Sequence, residues 1–291
     1  MLAYIQTVII YAFILGSIYL LMSLGFSIIC GVLRIFHLGY AYIFPVTVYG
    51  TWMFMAEFGI DLIPSIILMV LLQFLLAFLI YKGVIKRYLE EEMILLTALI
   101  LITIIIQQIF NYRYPIESGV FLKTGLVEGT TQIGDVVVST QLLIGGVIAF
   151  VLTALFVLFF VKTKIGLAVR AISQDEYTAK IVGINVENLF IFTMMIVLIP
   201  VMIAMLMVAP VWNIEPEMGQ LYMFTAILVS VLGGLGNLKG TIMASFLIGA
   251  VHAFVCFVVG EPRFMTFSGI VLVMIVLVVR PQGLTRSETL W

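Results

Sequence analysis

Few residues in this chain carry chemistry, and those that do stand apart. His37, His252, Cys30 and Cys256 are scattered along the sequence, so no spacing gathers ligands for a metal. No serine, cysteine or threonine is set among partners that suggest nucleophilic catalysis, and no cofactor is implied. Gly233-Gly234-Leu-Gly236-Asn237-Leu-Lys239-Gly240-Thr241 has the glycines of a phosphate loop but the wrong order. A phosphate loop needs glycine before lysine, and here Lys239 precedes Gly240. Nucleotide binding is excluded there. Gly233, Gly234, Gly236, Asn237 and Gly240 read instead as a tight turn, because glycine permits sharp reversal and close helix approach. Gly31 to Gly39 plays a similar part earlier, and His37 beside Gly39 reads as an interfacial or packing histidine rather than a ligand.

The polar residues that are grouped lie between Lys162 and Leu189. Leu167, Ala168, Ala171 and Ile172 repeat at helical spacing, as do Ala179 and Val182. Ser173-Gln-Asp175-Glu176 has capping-box form, in which the serine oxygen and the Glu176 carboxylate satisfy free N–H groups of a new helix. Gly183 then ends that helix in the left-handed conformation. The spacing predicts two short surface helices joined at Ser173. On residue types alone they are either an amphipathic connector or a docking surface.

The elements that position this segment are membrane spans. Of 291 residues 64% are hydrophobic and 10% charged, where a soluble domain is nearer half apolar and a quarter charged. The chain is therefore an all-α polytopic transmembrane bundle. The net charge of −1 and the absence of basic runs exclude a nucleic-acid partner. Both cysteines sit in apolar runs, so no structural disulfide is expected. Residues 1–33 lack a basic n-region and a cleavage site, and read as a retained first span.

Runs close to the roughly 20 residues needed to cross the hydrocarbon lie at 5–33, 39–57, 62–82, 93–111, 140–161, 188–210, 219–237, 241–259 and 264–280. This gives about 8–9 spans in a single domain, 1–291. The over-long first run tilts or breaks, and the second, with Pro45, is broken or partly re-entrant. Alternation, with the segment after Lys162 cytoplasmic, places the amino terminus outside and the carboxyl terminus inside. Arg34, Lys82, Lys86, Arg87, Lys162, Lys164, Arg170, Lys180, Lys239, Arg280 and Arg286 then face the cytoplasm, against Arg113, Lys123 and Arg263 outside.

The outer loop, 112–139, ends in Ile133-Gly-Asp-Val-Val-Val-Ser139, whose alternation beside a Gly-Asp turn predicts a hairpin. It serves either as a docking site for an external partner or as a plain connector. A second outer segment, Trp212 to Gly219, is acidic and broken by Pro216. No Asp, Glu, Lys or Arg lies well inside a span, and His252 is the clearly internal ionisable group. Ion- and proton-driven carriers keep such groups as relays, so energy for uphill transport has to come from elsewhere.

The order of these parts resembles the permease subunits of branched-chain amino-acid ABC importers, over nearly the whole chain. Gly16-Ser-Ile-Tyr19 through Gly25 and Gly31-Val-Leu resemble that family's first helix. Phe36-His37-Leu38-Gly39 resembles its Asn-Phe-Ala-His-Gly turn, with Ile35 in place of the asparagine and Leu38 in place of a residue found as alanine. Gly166-Leu-Ala-Val-Arg170-Ala171 and Val182-Gly183-Ile184-Asn185 resemble the loop that meets the ATPase. Pro216-x-Met218-Gly219, the glycine turn at 231–240 and Arg280-Pro-Gln-Gly-Leu284 come in the family's order. One departure stands out: where the family has Glu-Ala-Ala before a basic residue, this chain has Tyr177-Thr178-Ala179 before Lys180. Asp175 and Glu176 lie close enough to replace the lost acid.

The resemblance implies a non-enzymatic transport subunit of the inner cell membrane. Its expected partners are a second homologous permease, two cytoplasmic ATP-binding subunits and an external solute-binding protein. ATPase coupling falls to Gly166, Arg170, Ala171, Ser173, Asp175, Glu176, Ala179, Lys180, Gly183 and Ile184. The pathway and its tight turns fall to His37, Gly39, Gly233, Gly234, Gly236, Asn237 and Gly240. The rival from residue types is an ion-coupled carrier or channel for a small neutral solute, with His252 as its relay.

Overall fold

In a computed structural model the chain is described at residues 2–115, 127, 129–212 and 214–285. Lys123, Asn213 and Arg286 lie outside the described residues. The helices are α1 (Leu2–Leu33), α2 (Ile43–Ala56), α3 (Leu62–Ile80), α4 (Lys86–Tyr88), α5 (Glu92–Arg113), α6 (Thr140–Lys162), α7 (Lys164–Gln174), α8 (Glu176–Ile181), α9 (Val186–Ile196), α10 (Leu198–Val208), α11 (Met218–Gly233), α12 (Leu238–Phe254) and α13 (Met265–Val279). Among the described residues seven helical stretches are long and apolar enough to cross a membrane. The remaining two apolar runs, now α2 and α11, are shorter.

The first helix is the axis of the bundle. It runs unbroken for 32 residues and is almost fully buried from Ile14 to Ile29, so the expected tilt or break is not a break. Its glycines set the packing distance. A Cβ on Gly249 of α12 would lie 2.5 Å from the Gly16 nitrogen, and one on Gly25 would lie 2.5 Å from the Val197 oxygen. Backbones therefore touch where side chains normally intervene, as small residues allow between helices in lipid.

Of the two readings of the second run, the broken one holds and the re-entrant one does not. The chain enters at Arg34 beside Glu92, the start of α5, and leaves at Glu57 beside Arg113, its far end. The structure shows how the break is tolerated. After Arg34 the chain turns back inward to a 3-10 turn, Leu38–Tyr42, whose residues Gly39–Tyr42 are buried. Gly39 meets Leu99, and the Thr103 hydroxyl donates to the Gly39 carbonyl at 3.5 Å, which places the turn halfway along α5. In hydrocarbon an irregular backbone needs internal partners. Gln73 of α3 supplies one, donating to the Ile43 carbonyl at 2.9 Å. The segment after α10 behaves alike. Ile214, Pro216 and Met218 are buried, Tyr49 donates to the Ile214 carbonyl, and Gly219 packs on Ala41 and Pro45. The expected outer loop there is thus folded inward, because its apolar residues outweigh its two glutamates. Both α2 and α11 begin near mid-depth.

Contacts sort the chain ends onto two faces. Arg34, Lys86, Glu187 and the 233–240 turn share one; Glu57, Arg113 and the hairpin share the other. The hairpin forms as expected, β1 (Thr130–Ile133) pairing antiparallel with β2 (Val136–Ser139) across Gly134-Asp135. Residues 116–126 and 128 of the outer loop lie outside the described residues.

The turn between α11 and α12 is the tightest corner. Gly233 and Gly240 touch backbone to backbone, and Gly234 and Gly236 take φ of 95° and 80°. The Asn237 side chain accepts from the Gly240 N–H at 3.0 Å, capping α12. The segment after α13 clasps this corner: the Leu284 N–H donates to the Leu232 carbonyl and the Thr285 hydroxyl to the Gly233 carbonyl, at 2.8 and 2.6 Å. A methyl on residue 240 overlaps the Gly233 carbonyl, whereas one on Gly83 meets nothing within 4 Å. We expect Gly240→Ala to destabilise by about 1–3 kcal/mol and Gly83→Ala to stay within about 0.5 kcal/mol, both read by thermal unfolding in detergent.

Candidate functional site

The segment from Lys162 to Leu189 is built as two helices, but its joint is not where the capping box puts it. Ser173 lies inside α7 and its hydroxyl donates to the Arg170 carbonyl at 2.7 Å. The cap of α8 is Asp175, whose carboxylate accepts from the Thr178 N–H at 3.1 Å. Aspartate wins because its side chain also binds the Thr178 hydroxyl, so the pair Asp175-x-x-Thr178 is the signal that Ser173-x-x-Glu176 obscured. Glu176, the expected second half of the box, pairs with Lys180 one turn on, at 2.6 Å.

The other end matches the expectation closely. Gly183 has φ of 86°, and the Ile184 N–H donates back to the Ala179 carbonyl at 3.1 Å while the Gly183 N–H donates to Lys180 at 3.1 Å. This is the Schellman pattern that satisfies the last carbonyls of a helix. Ala179 is buried beneath it. The start of the segment is set by Thr163, whose hydroxyl caps α7 by accepting from the Gly166 N–H at 3.0 Å. Gly166 lets α6 turn into α7, since a Cβ there would lie 2.5 Å from the Phe160 carbonyl carbon. Arg170 donates to the Val161 carbonyl at 3.1 Å and Ala171 takes the α7 end, accepting from the Asp175 N–H at 3.0 Å.

Val169 and Ile172 fasten α7 to the bundle. The opposite side is open and apolar: Leu167, Tyr177, Ile181 and Val182 are 60, 74, 68 and 69% exposed. Tyr177, at the position of the lost acid, is therefore an aromatic knob on the surface. Beside the segment runs a groove of about 640 Å³ bordered by Lys86, Glu91, Glu92, Ile172, Glu176 and Lys180.

The structure does not bring His37 and Gly39 together with the 233–240 turn as one site. His37 is buried, neither ring nitrogen is bonded among the described residues, and it sits against Gly39, a packing histidine. Gly233, Gly234, Gly236, Asn237 and Gly240 form the corner between α11 and α12. His252 lies within 2.9 Å of the Tyr19 hydroxyl through Nδ1 and packs on Gly269, joining α1, α12 and α13.

Residues 8–279 match the family described as branched-chain amino acid transport system, permease component. The chain belongs to that family. Relatives are the high-affinity branched-chain amino acid transport permease proteins BraD of Pseudomonas aeruginosa and LivH of Salmonella typhimurium. BraD is 23% identical, covering 92% of each chain. LivH is 22% identical over 93% of this chain and 92% of its own. The fold matches a solved structure of PsaBC from Streptococcus pneumoniae in complex with Fab, with a TM-score of 0.51 and 17% identity, over 96% of this chain and 92% of that one.

One ion pair and one cap of this permease show how the segment is held. Lys86, on α4, reaches Glu187 at the start of α9 at 2.7 Å. The Thr178 hydroxyl and N–H bind the Asp175 carboxylate and keep it below its ordinary range. In the sequence Lys86 counts only as an inside charge, and nothing in local spacing reveals a partner so distant in the chain. A carboxylate whose folded value is depressed stabilises the fold above its unfolded range and loses that effect as pH falls through the folded value. We expect protection of the Thr178–Ile181 amides, taken relative to the intrinsic exchange rate at each pH, to be high at neutral pH and to fall as pH drops below the usual carboxylate range. Asp175→Ala should show low protection at every pH, and a wild-type pH profile in that variant would rule out the cap.

Proposed function

We propose that this permease is one half of the translocation pathway of an ATP-driven importer, and that residues 162–189 are the seat of its ATPase. The observation that carries the reading is the open apolar face of α7 and α8, Leu167, Tyr177, Ile181 and Val182, on a segment rigid at both ends. Apolar side chains left bare on a polar stretch mark an interface. A short helix transmits force only when capped and seated, which Thr163, Asp175 and Gly183 provide.

The basic residues support the orientation. Arg34, Lys86, Arg87, Lys164, Arg170 and Lys180 accompany the segment on one face, and cytoplasmic loops carry such an excess. The segment is therefore cytoplasmic, with the amino terminus outside. A solute-binding protein delivers to the opposite face, ATPase closure moves α7 and α8, and access alternates between sides. A second permease of the same family completes the pathway. The cargo is a branched-chain or related small amino acid, the class printed for BraD and LivH. An ion-coupled carrier acting alone is disfavoured: among the described residues the buried polar side chains are hydroxyls, amides and two histidines, and His252 is engaged with Tyr19.

The test is reconstitution in vesicles with the partner subunits and radiolabelled leucine. Uptake should require ATP and the binding protein; uptake driven by an ion gradient without ATPases would overturn the reading. Gly183→Val forces a β-branched residue into a left-handed conformation with open space around it, so it acts through the backbone. Normal insertion with roughly tenfold less uptake per ATP is expected, in the usual range of coupling between sites.

A further inference from the structure

The α7–α8 joint is tied to the start of the broken second run by a single side chain. Arg34 Nη2 donates to the Ser173 carbonyl at 2.7 Å and to the Gln174 carbonyl at 3.1 Å. These are the last carbonyls of α7, left without helical partners and lying at the negative end of its dipole, where a guanidinium is favoured. Arg34 also has φ of 54°, the one positive value at a non-glycine among the described residues. Left-handed backbone at an arginine persists only when its surroundings hold it, and such strain collects at switch regions.

The residues after Arg34 make the tie mechanical. Ile35 is buried, Phe36 meets Phe26 edge-on at 5.3 Å, and the chain then enters the mid-membrane turn at Leu38–Tyr42. That turn is bonded to α5 through Thr103 and to α1 through the Tyr40 hydroxyl, which donates to the Met22 carbonyl at 2.9 Å. A cavity of about 200 Å³ lined by Cys30, Ile35, Phe36, Leu95 and Leu235 lies alongside and gives the segment room to shift.

We propose that Arg34 is a positioning residue for coupling, a latch through which movement of the α7–α8 joint displaces the broken second run and the α5 wall beside it. This deepens the ATPase-seat reading and rests on it. Arg34 itself touches neither solute nor nucleotide. Coupling between distant sites has to be shown through an element that both bias, and the turn at Leu38–Tyr42 is that element here.

Arg34→Gly separates side chain from backbone, because glycine adopts φ of 54° freely while the guanidinium is lost. Arg34→Lys keeps the charge but offers a compact, strongly hydrated ammonium in place of the planar fork. In vesicles holding the complete transporter, Arg34→Gly should keep basal ATP hydrolysis and lose about tenfold in leucine uptake per ATP, with Arg34→Lys intermediate. Uptake per ATP within about twofold of wild type in Arg34→Gly would overturn the latch. Should Arg34→Gly fail to assemble, hydrogen exchange decides in Arg34→Lys: ATP should alter protection at Leu38–Tyr42 in the wild type and clearly less in the variant. An equal response in both would also overturn it. A wild-type complex without ATP-dependent uptake would instead overturn the transporter reading, so the two failures are distinct.

Discussion

The structure depends on how closely other backbones approach the first helix. Gly16 brings α12 against it and Gly25 admits Tyr40 and the Val197 carbonyl. In lipid there is little hydrophobic gain from burying one apolar face against another, so packing and backbone proximity decide which helices associate. With α1 buried from Ile14 to Ile29, each neighbour is placed by its distance from that axis. The long tie from α1 into the mid-membrane turn at Leu38–Tyr42, and from there to the α7–α8 joint, is a result of this arrangement.

A second constraint acts inside the bundle. No charged side chain is buried among the described residues, so broken backbone is satisfied by amides and hydroxyls. Gln73 serves the start of α2, and Gln141 donates to the Leu206 and Met207 carbonyls at the end of α10. These interactions let the helices break without an ion or a salt bridge. The polar work is left to one surface, where Asp175, Glu187 and Arg34 hold the coupling segment in place.

Much of this was legible in the sequence because the physics is local. The nine apolar runs reappear as helical segments, Pro45 and Gly39 mark the break in the second run, and Gly183 ends its helix as only glycine does cheaply. The hairpin around Gly134-Asp135 is equally local. What was hidden depends on residues distant in the chain. Arg34 reads as one more inside charge until Ser173 is brought to it, and the Trp212–Gly219 stretch reads as a loop until Ala41 and Tyr49 receive it. The capping error at Ser173 is of another kind. Two overlapping motifs compete there, and spacing alone does not weigh a carboxylate bound twice by Thr178 against a serine that can bond within its own helix.

The two helices that begin near mid-depth have a consequence for the bilayer itself. With 14 and 16 residues, α2 and α11 span roughly 21 and 24 Å, short of the ~30 Å of hydrocarbon. The missing length is made up by the inward-folded turns at 38–42 and 214–217, and α2 is buried from Ile43 to Thr51, so protein rather than lipid fills the shortfall. Bilayer thickness therefore bears on the seven long helices and not on these two.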